Sequence, residues 1–192
     1  MNRDLHVAVL MGGWSSEREV SLMSGKGPPL PVGDALHRTM ELVSLPDAED
    51  LEEVARAVCE EADVSDHLDE VLAMARNCLA SEVVQRAIRS GAWWREVGFV
   101  VPEEGSRENG DGGSASSKAG YTTGRVDLVF RDGQGVVVVD YKTNAVGEAA
   151  TEGHSGQAET YARGVGAATG LGVSDVVLVF ARTGAEAGLK AA

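Results

Sequence analysis

Gly124-Arg125-Val126-Asp127-Leu128-Val129-Phe130 is followed, across Asp132-Gly133-Gln134-Gly135, by Val136-Val137-Val138-Val139-Asp140-Tyr141-Lys142-Thr143. Two apolar runs bounding a glycine-bearing turn signal a β-hairpin. With Gly133 and Gln134 as loop residues, Arg131 pairs with Val136 and Phe130 with Val137. The ladder then arrives at Asp127 opposite Asp140. Side chains alternate between faces with period two, so this register puts both acids on one face, their Cβ atoms ~5 Å apart. Lys142 points to that same face, about 7 Å further along the strand.

Two carboxylates in an apolar hairpin repel each other and lose hydration, which is costly unless a cation or a proton sits between them. Hard oxygen ligands select Mg²⁺ or Mn²⁺, with several waters retained. Such an ion beside the Lys142 ammonium would neutralise charge developing at a phosphodiester. The bland alternative is a surface hairpin with an Asp/Lys ion pair. Four consecutive valines before Asp140 argue against a fully solvated position.

Outward from the hairpin, strand signals stand at Glu96 to Val101, ended by Pro102, and at Asp175 to Ala181, with a helix over Gln157 to Ala168 between hairpin and last strand. Residues 103–120 are poor in apolar side chains and rich in Gly and Ser, so a mobile loop is expected. Upstream, three-to-four spacing predicts helices over 33–42, 50–62 and 66–79, and a fourth that Ser81 caps. Pro28-Pro29-Leu30-Pro31 reads as a linker over 27–32. The expected fold class is α/β: a mixed central sheet flanked by helices and preceded by a helical segment. The boundaries are 1–26, 27–32 and 33–192, the last with a helical part 33–91 and a sheet core 92–192.

Length and composition set limits on function. The chain has 192 residues, enough for one domain and its appendages but not for a helicase motor or a multidomain synthetase. Its apolar runs are short and broken by charge, which leaves no transmembrane span, and no signal peptide opens it; a cytoplasmic location is expected. Cys59 and Cys78 give neither a metal knuckle nor a disulfide framework. With 17 Lys+Arg against 30 Asp+Glu, the formal net charge is -13. That disfavours broad, non-specific nucleic-acid binding by the chain alone, though not a local site.

The run GRVDLVFRDGQGVVVVDYKTN resembles the PD-(D/E)XK nuclease motif, in the form found at the carboxyl end of RecB/AddA-type helicase–nucleases. GDALHRTMEL, from Gly33, is similar to the helical motif that supplies a metal-binding histidine there, and HSGQAETYA to the helix after the hairpin. The likeness implies an α-β-β-β-α-β restriction-endonuclease-like core and Mg²⁺- or Mn²⁺-dependent hydrolysis of DNA, exonucleolytic more than endonucleolytic. It implies Asp127 and Asp140 as metal-binding acids, Lys142 as the catalytic lysine and His37 as a further metal ligand. Gln157 and Tyr161, at i and i+4, would contact the substrate strand or orient the site. DNA is the implied partner, and a helicase would have to come from another chain in trans.

Without that likeness His37, with Asp34 and Glu41 on its helical face, reads as a surface ion-pairing histidine. Glu96 reads as a solvated strand end more than as a further acid at the site. Trp93 and Trp94 read as packing against the helices more than as base-stacking residues, and His67 and His154 as exposed. The opening run VAVLMGGWSSEREVSLMSG resembles the amino-terminal opening of D-alanine–D-alanine ligases over residues 6–25, with Glu17 at the position of that family's acid beside the first substrate. Two alternatives therefore stand beside the nuclease: a non-catalytic nuclease-fold remnant that binds a protein partner or DNA ends, and a truncated, inactive ligase-like fragment.

Overall fold

The computed structural model describes residues 30–102, 121–133, 135–143 and 155–189. The ligase-like opening, the Gly/Ser-rich stretch 103–120 and His154 lie outside the described residues. Four helices come first: α1 (Leu30–Leu42), α2 (Leu51–Glu61), α3 (Leu68–Ala80, entered through a 3-10 turn at Ser65–His67) and α4 (Glu82–Ser90). Strands β1 (Trp93–Pro102), β2 (Tyr121–Asp132) and β3 (Gly135–Lys142) follow, then α5 (Ser155–Thr169), β4 (Val173–Phe180) and β5 (Ala185–Leu189). Among the described residues no helix is long and apolar enough to cross a membrane.

The strands form one mixed sheet in the order β1-β2-β3-β4-β5. β3 and β4 are parallel, joined through α5, and the other pairs are antiparallel. β3 is central, which accounts for its continuous valine run: a strand covered on both faces has no polar side to present. Val137 and Val139 join the core beneath α1–α4 with Leu128, Phe130 and Tyr141, whereas Val136 and Val138 join the core beneath α5 with Val129 and Val176. The chain is thus a three-layer α/β arrangement, consistent with a restriction-endonuclease-like core.

The hairpin register is the one the turn dictates next to the loop, but the expected facing pair Asp127–Asp140 is not formed. The ladder ends at Leu128–Val139, and Asp140 turns to Tyr161 of α5 whereas Asp127 turns to His37 of α1. Asp132 pairs with Gly135, Arg131 with Val136, Phe130 with Val137 and Leu128 with Val139. The β2–β3 ladder stops there, but β2 goes on pairing with β1 as far as Tyr121. Strict alternation also fails at this point. Leu128 and Phe130 face the α1–α4 layer, yet Val126 faces α5; Trp93 packs against the α1–α4 core, yet Val97, Phe99 and Val101 face α5. Both strands change phase at the facing positions Glu96 and Asp127, and Glu96 has a positive φ of 53°. The β1–β2 ribbon therefore leaves the sheet, leans over α5 and opens a fork beside β3.

Several local expectations are corrected. α1 begins at Leu30, inside the stretch read as a linker over 27–32, because proline is tolerated in the first helical turn where its missing N–H has no partner to lose; Val32 is fully buried. Ser81 occupies the N-cap of α4 but makes no capping bond: its hydroxyl donates to the Cys78 carbonyl, and Glu186 of β5 accepts the Val83 N–H instead. β5 itself was not anticipated. Gly91 ends α4 at φ +64°, as a left-handed cap favours.

Leu36, fully buried on α1, anchors that helix to the sheet one residue before His37. Leu36→Ala is expected to lose roughly 2–5 kcal/mol of unfolding free energy. Urea midpoints at an unchanged m-value would measure it, and a loss below about 1 kcal/mol would contradict this packing.

Candidate active site

The fork gathers the residues singled out in the sequence. Asp140 and Lys142 alternate with Tyr141 and so point toward α5, and both are almost wholly buried. Lys142 Nζ lies 2.6 Å from Asp140 Oδ2 and donates to Gln157 Oε1 at 3.2 Å. Gln157 Nε2 donates to Tyr161 Oη at 2.6 Å, and that hydroxyl donates to Asp140 Oδ1 at 3.0 Å. The four side chains close a ring. An ammonium only donates, so Gln157 must show it the carbonyl oxygen; the amide nitrogen then faces Tyr161, whose proton is left for Asp140. Lys142 therefore meets Asp140 directly as an ion pair and indirectly through donors passed along Gln157 and Tyr161. Bonds polarised in one direction reinforce one another in a low-dielectric setting.

Asp127 stands where the ladder stops. Its Oδ2 accepts the Tyr141 backbone N–H at 2.6 Å, taking over the amide that β2 no longer pairs. Its Oδ1 lies 2.9 Å from His37 Nδ1 on α1. A carboxylate can only accept, so that bond puts the ring proton on Nδ1 and, in the neutral imidazole, an acceptor on Nε2. Burial works to raise the Asp127 carboxyl, but His37, the Tyr141 N–H and the Lys142 ammonium outweigh it and hold it below the usual aspartate value. Burial keeps the nearby Cys78 thiol and Tyr141 phenol neutral, pushing both far up.

Glu96 is not the solvated strand end that its position in the sequence suggests: it lies in mid-strand, since β1 already begins at Trp93. Burial raises its carboxyl, the neighbouring Asp127 charge adds to that, and Arg125 at 2.9 Å opposes both. The signal that could have found it is cross-strand: Arg95 pairs with Leu128 and Val97 with Val126, which leaves Glu96 facing Asp127. Arg95 beside it donates to the carbonyls of Met40 and Val43, tying the end of α1 to the sheet. Trp93 packs against the α1–α4 core beneath the Arg95 guanidinium, whereas Trp94 is half exposed. His67 pairs with Glu70 at 3.1 Å.

The donor set suits a hard divalent ion: carboxylate oxygens with one imidazole, of which Mg²⁺ needs only one or two from protein when phosphates and water complete its shell. Among the described residues, however, no three His, Cys, Asp or Glu side chains converge as a cage. Of the three residues expected as ligands, His37 and Asp127 engage each other while Asp140 turns to Lys142 and Tyr161.

The model of the PD-(D/E)XK nuclease superfamily matches residues 14–189. The chain belongs to the PD-(D/E)XK nuclease superfamily. Short stretches also match D-alanine–D-alanine ligases. The enzyme of Sphingopyxis alaskensis is 81% identical over 31 residues, which is 16% of this chain and 9% of that protein. That of Novosphingobium aromaticivorans is 91% identical over 23 residues, 12% of this chain and 7% of that protein. The chain thus spans only a small part of these relatives. A solved structure titled "Crystal structure of SSO0001" superposes with a TM-score of 0.39 at 14% identity, covering 84% of this chain and 76% of that one.

The depressed Asp127 pKa has a pH consequence with a definite sign. A carboxyl held lower in the folded state adds stability that is complete above its unfolded value, near ~3.9. That stability is lost as pH falls through the folded value. In the presence of a chelator, Asp127→Asn should therefore flatten the acid limb of unfolding free energy below about pH 4 relative to the parent chain. Parallel acid limbs, measured by urea unfolding from pH 5 downward, would refute the assignment.

Proposed function

We propose that this domain hydrolyses DNA phosphodiester bonds with the help of a divalent metal ion, Mg²⁺ or Mn²⁺, as an exonuclease more than an endonuclease. The carrying observation is the closed ring Asp140–Lys142–Gln157–Tyr161, set beside the His37–Asp127 pair in the fork. Asp127 and Asp140 would hold the metal, with His37 offering its other ring nitrogen. When bound, the ion would supply a Lewis acid beside the scissile phosphate.

The chain's own groups do the rest. The Lys142 ammonium, shielded from water, stabilises negative charge gathering on the phosphoryl oxygens; a buried cation does so far better than an exposed one. Phosphate oxygens accept from the same donors that Asp140 and Gln157 Oε1 now accept from, so substrate can take the place of ring bonds without leaving donors unpaired. Gln157 and Tyr161 then hold the strand and keep Asp140 in orientation. His37 and the Tyr141 N–H fix Asp127. The proposed setting is a RecB/AddA-type nuclease unit, working with DNA and with a helicase chain in trans.

A second reading, a nuclease-fold remnant that binds DNA ends or a protein partner, is favoured by the -13 net charge. Nucleic-acid affinity rises with the cations presented, and a free-standing nuclease gains from a basic groove.

Linear single- and double-stranded DNA, incubated with Mg²⁺ or Mn²⁺, should be cut, and a chelator should stop the reaction. Asp140→Ala and Lys142→Ala should each lower the rate by about 10²–10³-fold or more, with circular dichroism showing folded protein. Intact DNA under both metals, together with calorimetric binding of the ion, would decide for the remnant.

A further inference from the structure

Phe99 stands directly across the β1–β2 ladder from Gly124 and is almost wholly buried. A Cβ built on Gly124 would lie 2.3 Å from Phe99 Cζ, and one built on Gly164 of α5 would lie 2.3 Å from Phe99 Cδ2. Non-bonded carbons in folded proteins do not come that close, so the ring occupies space left open by two glycines on two different elements. Neither glycine has a positive φ. Their backbones are ones any residue adopts, and glycine weakens a strand and a helix interior alike. What these positions require is room.

The ring that fills the slot also touches the site. Tyr161 lies three residues before Gly164, on the same face of α5. Its ring meets Phe99 edge to face, with centroids 5.9 Å apart and planes at 85°. The Tyr161 hydroxyl then donates to Asp140 Oδ1. A line of contact therefore runs from the leaning β1–β2 ribbon through Phe99 to α5 and to the buried carboxylate. The distance between ribbon and helix is set by an aromatic ring with no slack around it, since close-packed interiors respond to a single added methyl group.

We propose that Phe99, seated between Gly124 and Gly164, is a positioning residue: it fixes where Tyr161 stands and, through its hydroxyl, how Asp140 is presented. The proposal rests on the reading of the Asp140 cluster as the place of phosphodiester cleavage. It predicts that a methyl group at residue 164 is harmful because of residue 99 alone, and harmless once residue 99 is trimmed.

The test uses the full chain labelled with 3-fluorotyrosine, the Tyr161 resonance being assigned with Tyr161→Phe. Wild type, Gly164→Ala, Phe99→Leu and the double variant Phe99→Leu/Gly164→Ala are compared by fluorine NMR and by turnover of linear DNA. Gly164→Ala should move the Tyr161 resonance while that of Tyr141, on the opposite face, stays. It should also lower kcat by about tenfold or more with KM within about twofold. The double variant should recover most of both. A folded Gly164→Ala with an unmoved resonance and wild-type kcat overturns the proposal, as does a folded double variant no better than Gly164→Ala. Should Gly164→Ala not fold, Phe99→Ala, which empties the slot and leaves Tyr161 without its edge-to-face partner, replaces it: a shifted Tyr161 resonance with reduced kcat supports the proposal and unchanged values overturn it. Should the wild type cut no DNA, the nuclease reading falls and the resonances alone decide: moved and restored, the positioning stands; unmoved, it does not.

Discussion

An ammonium paired with a carboxylate, both nearly shut off from water, is the constraint around which the rest is arranged. Burying such charges is unfavourable, and taking away one partner of a buried pair typically costs ~3–5 kcal/mol because the other is then stranded. The fold tolerates the cluster by giving its charges partners: Lys142 pairs with Asp140, Gln157 and Tyr161 complete the circuit between them, and His37 with the Tyr141 N–H holds Asp127. These contacts come from three layers. α5 supplies Gln157 and Tyr161, α1 the imidazole, and the sheet both acids and the lysine. A helix shifted by one turn would leave a charge unanswered, so the polar cluster fixes the packing as much as the packing encloses the cluster.

The departure of the ribbon from the sheet makes room for this. Had β2 continued alongside β3 with regular alternation, the Tyr141 N–H would face a backbone carbonyl and Asp127 would stand on the α5 face. The change of phase at Glu96 and Asp127 swaps that backbone partner for a carboxylate oxygen. A positive φ at a non-glycine residue is uncommon and typically costs of order 1–3 kcal/mol. Here it coincides, among the described residues, with the place where strands part and charges collect. Arg95, next to it, returns the favour to α1 by accepting duty as the cap of that helix's last carbonyls, so that strain and site sit on a braced segment.

The hairpin register could be read from the chain because a short glycine turn leaves few alternatives, and each one-residue slip would turn four valines inside out. The helical segment was readable because α1–α4 keep a three-to-four period. What the sequence concealed is of another kind. The phase change turns on the backbone of Glu96, a residue type with no preference for positive φ. β5 is spelled Ala185-Glu186-Ala187-Gly188-Leu189, without the β-branched residues that announce a strand; it is held by pairing with β4 and by Glu186 capping α4. The slot of Phe99 depends on Gly124 and Gly164, forty residues apart, each of which reads locally as a mere weak point. Single-residue cues fail where the cause is a contact between distant segments.

The direction of the hydrogen-bond ring bears on how an acidic chain can handle a polyanion. Net charge acts at long range and is screened within about 8 Å at physiological ionic strength, whereas the fork presents its cation inside a low-dielectric wall. Lys142 and the donors that follow it point inward to Asp140, so the positive ends are spent internally until an anion competes for them. A phosphate oxygen can compete, being a charged acceptor like the carboxylate it displaces, and a neutral ligand cannot do so on equal terms. Under the proposed function, the selectivity of such a site would lie in this exchange between like acceptors and not in attraction from afar. A formal charge of -13 on the chain therefore does not by itself argue against the proposed phosphodiester substrate: it would weaken encounter and leave the local exchange intact.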